Sequence, residues 1–203
     1  MPDRSKVDLH ASYAADYAAP RRPCLLTPKP GRYLAVSGRG DPDGAAFQAK
    51  VRALYGVAYA VKMAWKRAGR DYGVPRLEGL WWGVGRDRWM IRQARKNWRW
   101  RLLLRVPDFV RAADVTAAAR QLRARGRGAS AGAVRLTRLA EGRCVQVLHV
   151  GRYVDEQPTL EAMLAVAQAH GLKYVGRHHE IYLSDPARVK PERLRTILRH
   201  PVR

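Results

Sequence analysis

The feature of this sequence that most constrains its fold is an internal repeat. Each half contains a predicted strand, a helix and two further strands, in the stretches 32–40, 41–69, 72–83 and 98–109, and again in 143–153, 156–171, 174–185 and 192–202. Both predicted helices end at a glycine, Gly69 or Gly171, which is typical of a helix C-terminus. A repeated β-α-β-β unit predicts an α+β domain of two duplicated modules with pseudo-two-fold symmetry.

Apolar residues spaced by three and four predict the two helices. The inner stripe of the first helix comprises Phe47, Val51, Leu54, Tyr55, Ala58, Lys62 and Trp65. Asp41 or Asp43 is expected to cap the start of that helix. The inward residues of the second helix are Leu160, Met163, Leu164 and Ala167.

The repeat also predicts how the chain is organised. Residues 1–30 form an extension that packs on the domain, and residues 31–203 form the ligand-binding domain. Within it lie repeat one (31–109), a connector (110–139) and repeat two (140–203), and the connector contains a helix at about 111–125 followed by a strand leading to Cys144. Each helix is expected to pack on its own sheet, and the two sheets are expected to enclose a central ligand cleft.

The stretch "HHEIYLSDP" (178–186) raises the question of function. It has the alternation of a strand, which places His178, Glu180 and Tyr182 on one face. Burying a carboxylate in such a strand is costly unless it is paired. Glu78, in "LEGLWW", holds a similar place in the first repeat, so pseudo-symmetry would bring both carboxylates to the central cleft.

Aromatic residues accompany both carboxylates, although core packing accounts for many helix aromatics and many strand glutamates face solvent. An aromatic-walled site with a buried carboxylate has two chemical uses. It can bind a flat cation by stacking and charge pairing. Alternatively, a desolvated Glu acquires a raised pKa and acts as a general base or acid near neutral pH. The residues alone leave both uses open.

The formal net charge of +22 indicates a polyanion as a partner. No helix-turn-helix, RNA-binding or zinc-finger pattern accompanies the basic residues, so most of this charge is expected to be solvated surface. Weak, non-specific attraction to DNA at low salt is still expected.

Other features exclude several classes of protein. No apolar run is long enough to span a bilayer, and the first residues lack the apolar region of a signal peptide. Cys24 and Cys144 match no metal or redox spacing, which predicts two reduced thiols in a cytoplasmic protein. Neither a metal nor a cofactor is expected.

The stretches "VPRLEGLWW", "GRCVQVLHVGRY" and "HHEIYLSDP", with the closing "RTILR", resemble the GyrI-like small-molecule-binding family. The resemblance extends from about Val7 to Val202 and is strongest to a stand-alone branch that includes cyclopropanoid cyclopropyl hydrolases. It implies a duplicated βαββ (SOUL/GyrI-like) fold. The family usually has proline after "HVG", where this chain has Arg152.

In that family a mid-strand Glu lies at the base of an aromatic pocket, and Glu180 matches it. The resemblance implies that Glu180 and Glu78 are catalytic. The substrate-binding residues would be Trp81, Trp82, Tyr55, Tyr59, Tyr153, Tyr182, His178 and Phe47.

The function implied is a hydrolase that adds water to the activated cyclopropane of hydrophobic, polyaromatic, DNA-alkylating antibiotics, which gives detoxification or self-resistance. A carboxylate would take the proton from the attacking water, and no cofactor is required. Two alternatives remain: a binder that sequesters cationic or polyaromatic drugs, and a protective protein associated with DNA or gyrase.

Overall fold

The computed structural model describes residues 6–85, 93–126 and 128–203. Within these ranges the fold is α+β. The strands are β1 (Cys24–Leu26), β2 (Gly31–Arg39), β3 (Glu78–Trp82), β4 (Arg99–Val106), β5 (Arg135–Leu139), β6 (Cys144–Val150), β7 (His178–Tyr182) and β8 (Arg195–Pro201). The helices are α1 (Leu9–Ser12), α2 (Ala45–Arg67), α3 (Ala112–Ala124) and α4 (Gln157–Ala169).

The predicted order of elements is confirmed, because β2-α2-β3-β4 is followed by β6-α4-β7-β8. The connector supplies α3 and β5, close to the predicted bounds. The pseudo-two-fold relation and the central cleft stay predictions.

The chain forms two compact units. The first comprises Met1–Ser12, Gly31–Leu77 and Trp81–Leu139, and the second comprises Tyr13–Pro30, Glu78–Leu80 and Ala140–Arg203.

In the first unit β2 pairs antiparallel with both β4 and β5, so that Tyr33 lies opposite Arg105 on one side and Thr137 on the other. The long helix α2 contacts β2, β4 and α3. Its buried residues are Phe47, Ala53, Leu54, Val57, Ala58 and Val61.

The predicted stripe of α2 was therefore only partly right. Phe47, Leu54 and Ala58 are buried, whereas Val57 and Val61 were missed because α2 packs on a second helix as well as on strands. Lys62, the polar member of the stripe, lies at the edge of the packed face and pairs with Asp71 at 3.0 Å.

Helix ends show one confirmed prediction and one error. Gly69, the residue after the C-cap Ala68 of α2, has a φ of +85°, as expected of a C-terminal glycine. The N-cap is Gly44, and no side chain caps it. Asp41 instead accepts the backbone N–H of Asp43 on Oδ1 and that of Gly44 on its carbonyl, so it closes the turn before the helix.

The second unit has antiparallel strands in the order β1-β6-β8-β7, and α4 contacts β6. This helix buries Leu160, Met163 and Ala167. Leu164 was expected to point inward but is 39% exposed, since it lies one residue, about 100° of helix rotation, beyond Met163.

The N-terminal segment Tyr13–Pro30 contributes to the second unit. Strand β1 pairs with β6, and the backbone N–H of Leu148 donates to the carbonyl of Pro20 at 2.8 Å. Tyr17 is buried against Ile181 and Ile197. This segment therefore supplies both an edge strand and part of the core of its unit.

Both cysteines have free thiols, Cys24 exposed and Cys144 buried. Among the described residues, no helix has the length and apolar character needed to cross a membrane.

Candidate ligand site around Glu156 and Glu180

Glu180 is the third residue of β7 and is buried, with 7% of its surface exposed. The alternation of the strand places His178 and Tyr182 on the same face. Tyr182 donates its hydroxyl to Oε2 of Glu180 at 2.8 Å, and Nε2 of His178 lies 3.5 Å from Oε1. The predicted grouping of these three residues is therefore observed in the geometry.

A second carboxylate, which the sequence did not single out, lies in this cluster. Glu156 follows the short 3₁₀ helix Tyr153–Asp155 and immediately precedes α4. It is buried, and one ligand atom from each of Glu156, His178 and Glu180 lies within 4.8 Å of the other two. Oε1 of Glu156 has no hydrogen-bond partner among the described residues.

A sequence signal for Glu156 did exist. It is the acidic residue that joins the end of "HVGRYVDE" to the helix of repeat two, directly after Tyr153. The sequence pattern predicts only the start of a helix at Glu156, because nothing in it shows that the preceding turn aims this side chain at β7.

The two carboxylates differ electrostatically. Burial, followed by the charge of Glu180, raises the pKa of Glu156 well above its ordinary value. Glu156 is therefore the group that keeps a proton when Glu180 is ionised, as expected of two carboxylates that share one site. The pair combines a hydrogen-bond acceptor with a carboxylic acid.

Two tyrosines line the same cluster. The rings of Tyr153 and Tyr182 meet edge to face at 5.8 Å, and Tyr153 remains 40% exposed. Burial and the nearby charges of Glu180, Glu156 and Asp185 raise the pKa of Tyr153 to about 12. Its phenol thus stays protonated at neutral pH and can donate a hydrogen bond to a ligand.

The turn that carries Tyr153 and Glu156 is fixed at its base by His149. Its Nε2 lies 3.1 Å from the carbonyl of Arg152, and its Nδ1 lies 2.9 Å from Oγ1 of Thr159. Because a carbonyl only accepts, Nε2 must carry the proton. The exposed Arg152 binds Asp155 through two hydrogen bonds, of 2.8 and 3.2 Å.

Two further aromatic rings extend a stack that begins at His178. The ring of His200 lies 6.0 Å from that of His178 and stacks at 4.0 Å on Tyr174. Burial, with a smaller effect of His178, lowers the pKa of His200 to about 3, so its imidazole is neutral. The stack presents a flat, uncharged support behind His178.

Glu156, His178 and Glu180 also have the spacing of three metal ligands. Carboxylate and imidazole groups do bind divalent cations. EDTA would remove a divalent cation bound by these three side chains.

Glu78 lies elsewhere in this unit. Its Oε2 is 3.0 Å from Nε2 of His179, and its Oε1 accepts the hydroxyl of Tyr17 at 2.7 Å. Because His179 and Glu180 are neighbours on a strand, Glu78 contacts the face of β7 opposite to Glu180. Its catalytic role stays a prediction.

The other residues predicted to bind substrate lie in the first unit. Phe47 stacks on the buried Trp81 at 5.9 Å, and Tyr55 stacks on Tyr59 at 6.4 Å. Tyr59 is 54% exposed, and Trp82 is half-buried. The structure thus brings together Phe47 with Trp81 and Tyr55 with Tyr59 within one unit, and Tyr153, His178, Glu180 and Tyr182 within the other.

Solved structures provide the comparison with known proteins. An uncharacterized conserved protein from Listeria innocua is 36% identical, with 98% of this chain and 100% of that chain covered and a TM-score of 0.90. A hydrolase from Listeria innocua is 35% identical over the same shares, with a TM-score of 0.87.

The C-terminal domain of EcmrR is 12% identical with a TM-score of 0.57, over 90% of this chain and 97% of that one, and it shares the fold alone. No curated protein is significantly similar in sequence. The GyrI-like small molecule binding domain matches residues 114–203, which include Glu156 and all of β7. With relatives of this identity over nearly the whole chain, this protein belongs to the family of GyrI-like small molecule binding domains.

Proposed function

We propose that this protein is a hydrolase that opens an activated cyclopropane by adding water, and so detoxifies a DNA-alkylating cyclopropanoid compound. The observation that carries the proposal is the buried pair of Glu156 and Glu180, in which one carboxyl group keeps its proton beside another that accepts hydrogen bonds. Similarity to a hydrolase from Listeria innocua supports a hydrolytic reaction.

The substrate class is a spiro-cyclopropane joined to a cyclohexadienone. Water attacks the methylene carbon of the strained ring, and a new C–O bond forms while the bond from that methylene to the spiro carbon breaks. The released electron pair moves into the dienone, whose carbonyl becomes a phenolate oxygen. One water is consumed, and the product is a primary alcohol with a phenol.

Glu180 and Glu156 divide the proton transfers in this scheme. The carboxylate of Glu180 takes the proton of the attacking water. The carboxylic acid of Glu156 donates its proton to the developing phenolate. The proton then returns from Glu180 to Glu156, over the short separation of the two groups, and restores both for the next turnover.

The aromatic residues of the same unit would bind the flat substrate. Tyr153 and Tyr182 offer ring faces and hydroxyl groups beside Glu180. The other predicted substrate-binding residues are Phe47, Tyr55, Tyr59, Trp81 and Trp82. The predicted location of the reaction is the cytoplasm.

Mass spectrometry tests the proposal directly. Purified protein is incubated with excess spiro-cyclopropyl cyclohexadienone, and we expect the compound to gain one water over many turnovers, with EDTA having no effect. Glu180→Gln should bind the compound and lose turnover by at least about 100-fold. Wild-type turnover in Glu180→Gln would refute the assigned role.

A second candidate function is binding without turnover. It is favoured by the position of the Glu180 carboxyl group beside two aromatic rings, since a carboxylate next to ring faces attracts a flat cation. Recovery of the intact compound, bound at one equivalent of protein, would support sequestration and exclude hydrolysis.

A further inference from the structure

We propose that Glu78, His179 and Tyr17 form a positioning network that holds β7 from behind, so that Glu180 keeps its place on the opposite face. This rests on the proposed function, in which Glu180 acts on the ligand. It assigns Glu78 a positioning role instead of the catalytic role predicted from the sequence.

The centre of the network is the imidazole of His179, which is fully buried. Its Nε2 lies 3.0 Å from Oε2 of Glu78, and its Nδ1 lies 3.0 Å from Oε1 of Glu141. Because both partners are carboxylates, both ring nitrogens must donate, and the ring is an imidazolium. Two ion pairs therefore fix its orientation.

Arg199 extends the network to the neighbouring strand. Its Nη1 donates to Oε2 of Glu141 at 2.8 Å, its Nε donates to Oε1 of Gln146 at 2.6 Å, and its Nη2 donates to the carbonyl of Asp16. In the antiparallel pairing of β7 and β8, Arg199 lies directly opposite His179. The buried charges of Glu78 and Glu141 are thus balanced by those of His179 and Arg199.

The N-terminal segment closes the network into a ring. Tyr17 donates to Oε1 of Glu78 at 2.7 Å, and its neighbour Asp16 is the residue whose carbonyl binds Arg199. Gln146 also donates to the carbonyls of Asp16 and Ala18, at 3.3 and 2.6 Å. The chain from Tyr13 to Pro30 is therefore anchored to the back of β7 and β8 by side-chain bonds.

The network acts on the site through the backbone of one strand. His179 lies between His178 and Glu180, so a displacement of its backbone moves both of these neighbours. A buried charge that loses its partner is strongly unfavourable, and the surrounding structure must then rearrange. A carboxylate displaced by about 1 Å can cost up to about 100-fold in rate.

Two variants break the network without removing a side chain of the ligand site. Tyr17→Phe removes the hydroxyl that binds Glu78 and keeps the ring that packs on Ile181 and Ile197. Glu78→Gln removes one of the two charges that face His179. Tyr72→Phe is the matched control, because the buried hydroxyl of Tyr72 has no hydrogen-bond partner among the described residues.

We expect Tyr17→Phe to lower kcat about tenfold with KM changed by less than about twofold, and Tyr72→Phe to leave both unchanged. Glu78→Gln should lower kcat in the same way, with KM again changed by less than about twofold.

The split between kcat and KM separates positioning from a purely structural role, which would lower the melting temperature and leave kcat of the folded protein unchanged. Unchanged kcat in Tyr17→Phe or in Glu78→Gln would overturn the positioning role. So would complete loss of turnover in a folded Glu78→Gln, since that result assigns Glu78 to the chemistry.

Glu180→Gln separates this inference from the proposed function. If Glu180→Gln keeps full turnover, the proposed function fails whatever the network variants do. If the wild-type protein binds the cyclopropane compound without turnover, the same network variants are compared by their Kd for it. Affinities equal to that of Tyr72→Phe would then overturn the positioning role.

Discussion

Glu156 and Glu180 come from different elements, the turn before α4 and the middle of β7, and yet they place carboxyl oxygens within 4.8 Å of each other in a buried site. Two carboxylates so close cannot both ionise without a large cost. The consequence for stability can be measured without any ligand.

Glu156→Gln should stabilise the protein at neutral and alkaline pH. The pKa of Glu156 is raised in the folded state, so its ionisation opposes folding once the pH exceeds the unfolded value near 4.5. We expect the variant to have a higher free energy of unfolding than wild type at pH 8 and nearly the same one at pH 4. Urea unfolding at both pH values checks this, and an equal gain at both would contradict it.

The His179 network should make stability fall at alkaline pH. The folded-state pKa of about 9 exceeds the ordinary value of 6.5, so the contribution is complete below pH 6.5 and is lost as the pH rises through 9. The loss is at most about 3 kcal/mol. Urea unfolding from pH 6 to 10 should show this slope, and His179→Gln should remove it.

Acid should also weaken this network, because Glu141 becomes protonated. Burial would raise the pKa of Glu141, but His179 and Arg199 lower it to about 2. Its contribution is therefore present above pH 4.5 and is lost as the pH falls through 2. Glu141→Gln should be less stable than wild type at pH 6, with a difference that narrows towards pH 2. A constant difference would contradict this assignment.

Arg152→Pro should be tolerated. The backbone of Arg152 has φ of −71° and ψ of 148°, which proline adopts without strain. The ion pair with Asp155 is exposed and contributes little to stability, and proline offsets its loss by restricting the unfolded chain. We expect a melting temperature within about 3 °C of wild type and unchanged turnover. Gly151→Pro is the disruptive control, since its φ is +141°.

The excess of basic residues should give weak DNA binding that salt removes. The sequence has 39 basic and only 17 acidic residues, and among the acidic ones Glu78, Glu156 and Glu180 are buried. Fluorescence anisotropy with a labelled duplex should show affinity at 50 mM salt that weakens at least about tenfold at 200 mM. Tight binding that persists at 200 mM would instead favour the DNA-associated function.

The sequence predicted the repeated order of elements because hydrophobic periodicity and turn residues are local signals. The strand around Glu180 and the C-terminal glycine of α2 follow from spacing alone. The grouping of His178, Glu180 and Tyr182 also needed only the alternation of one strand.

Tertiary structure decided which partners these residues have. Glu156 reaches Glu180 because a turn held by His149 joins β6 to α4, and this closeness of residues 24 positions apart has no local signature. Glu78 forms an ion pair with His179 although the two residues are 101 positions apart in the sequence. Tyr17, which binds Glu78, belongs to an N-terminal segment that the sequence predicted only as an extension. Local pattern thus determined the elements and the face of β7 that carries Glu180. Long-range packing determined the charge state of the groups around both faces, because burial and proximity to other charges decide which carboxyl groups keep a proton.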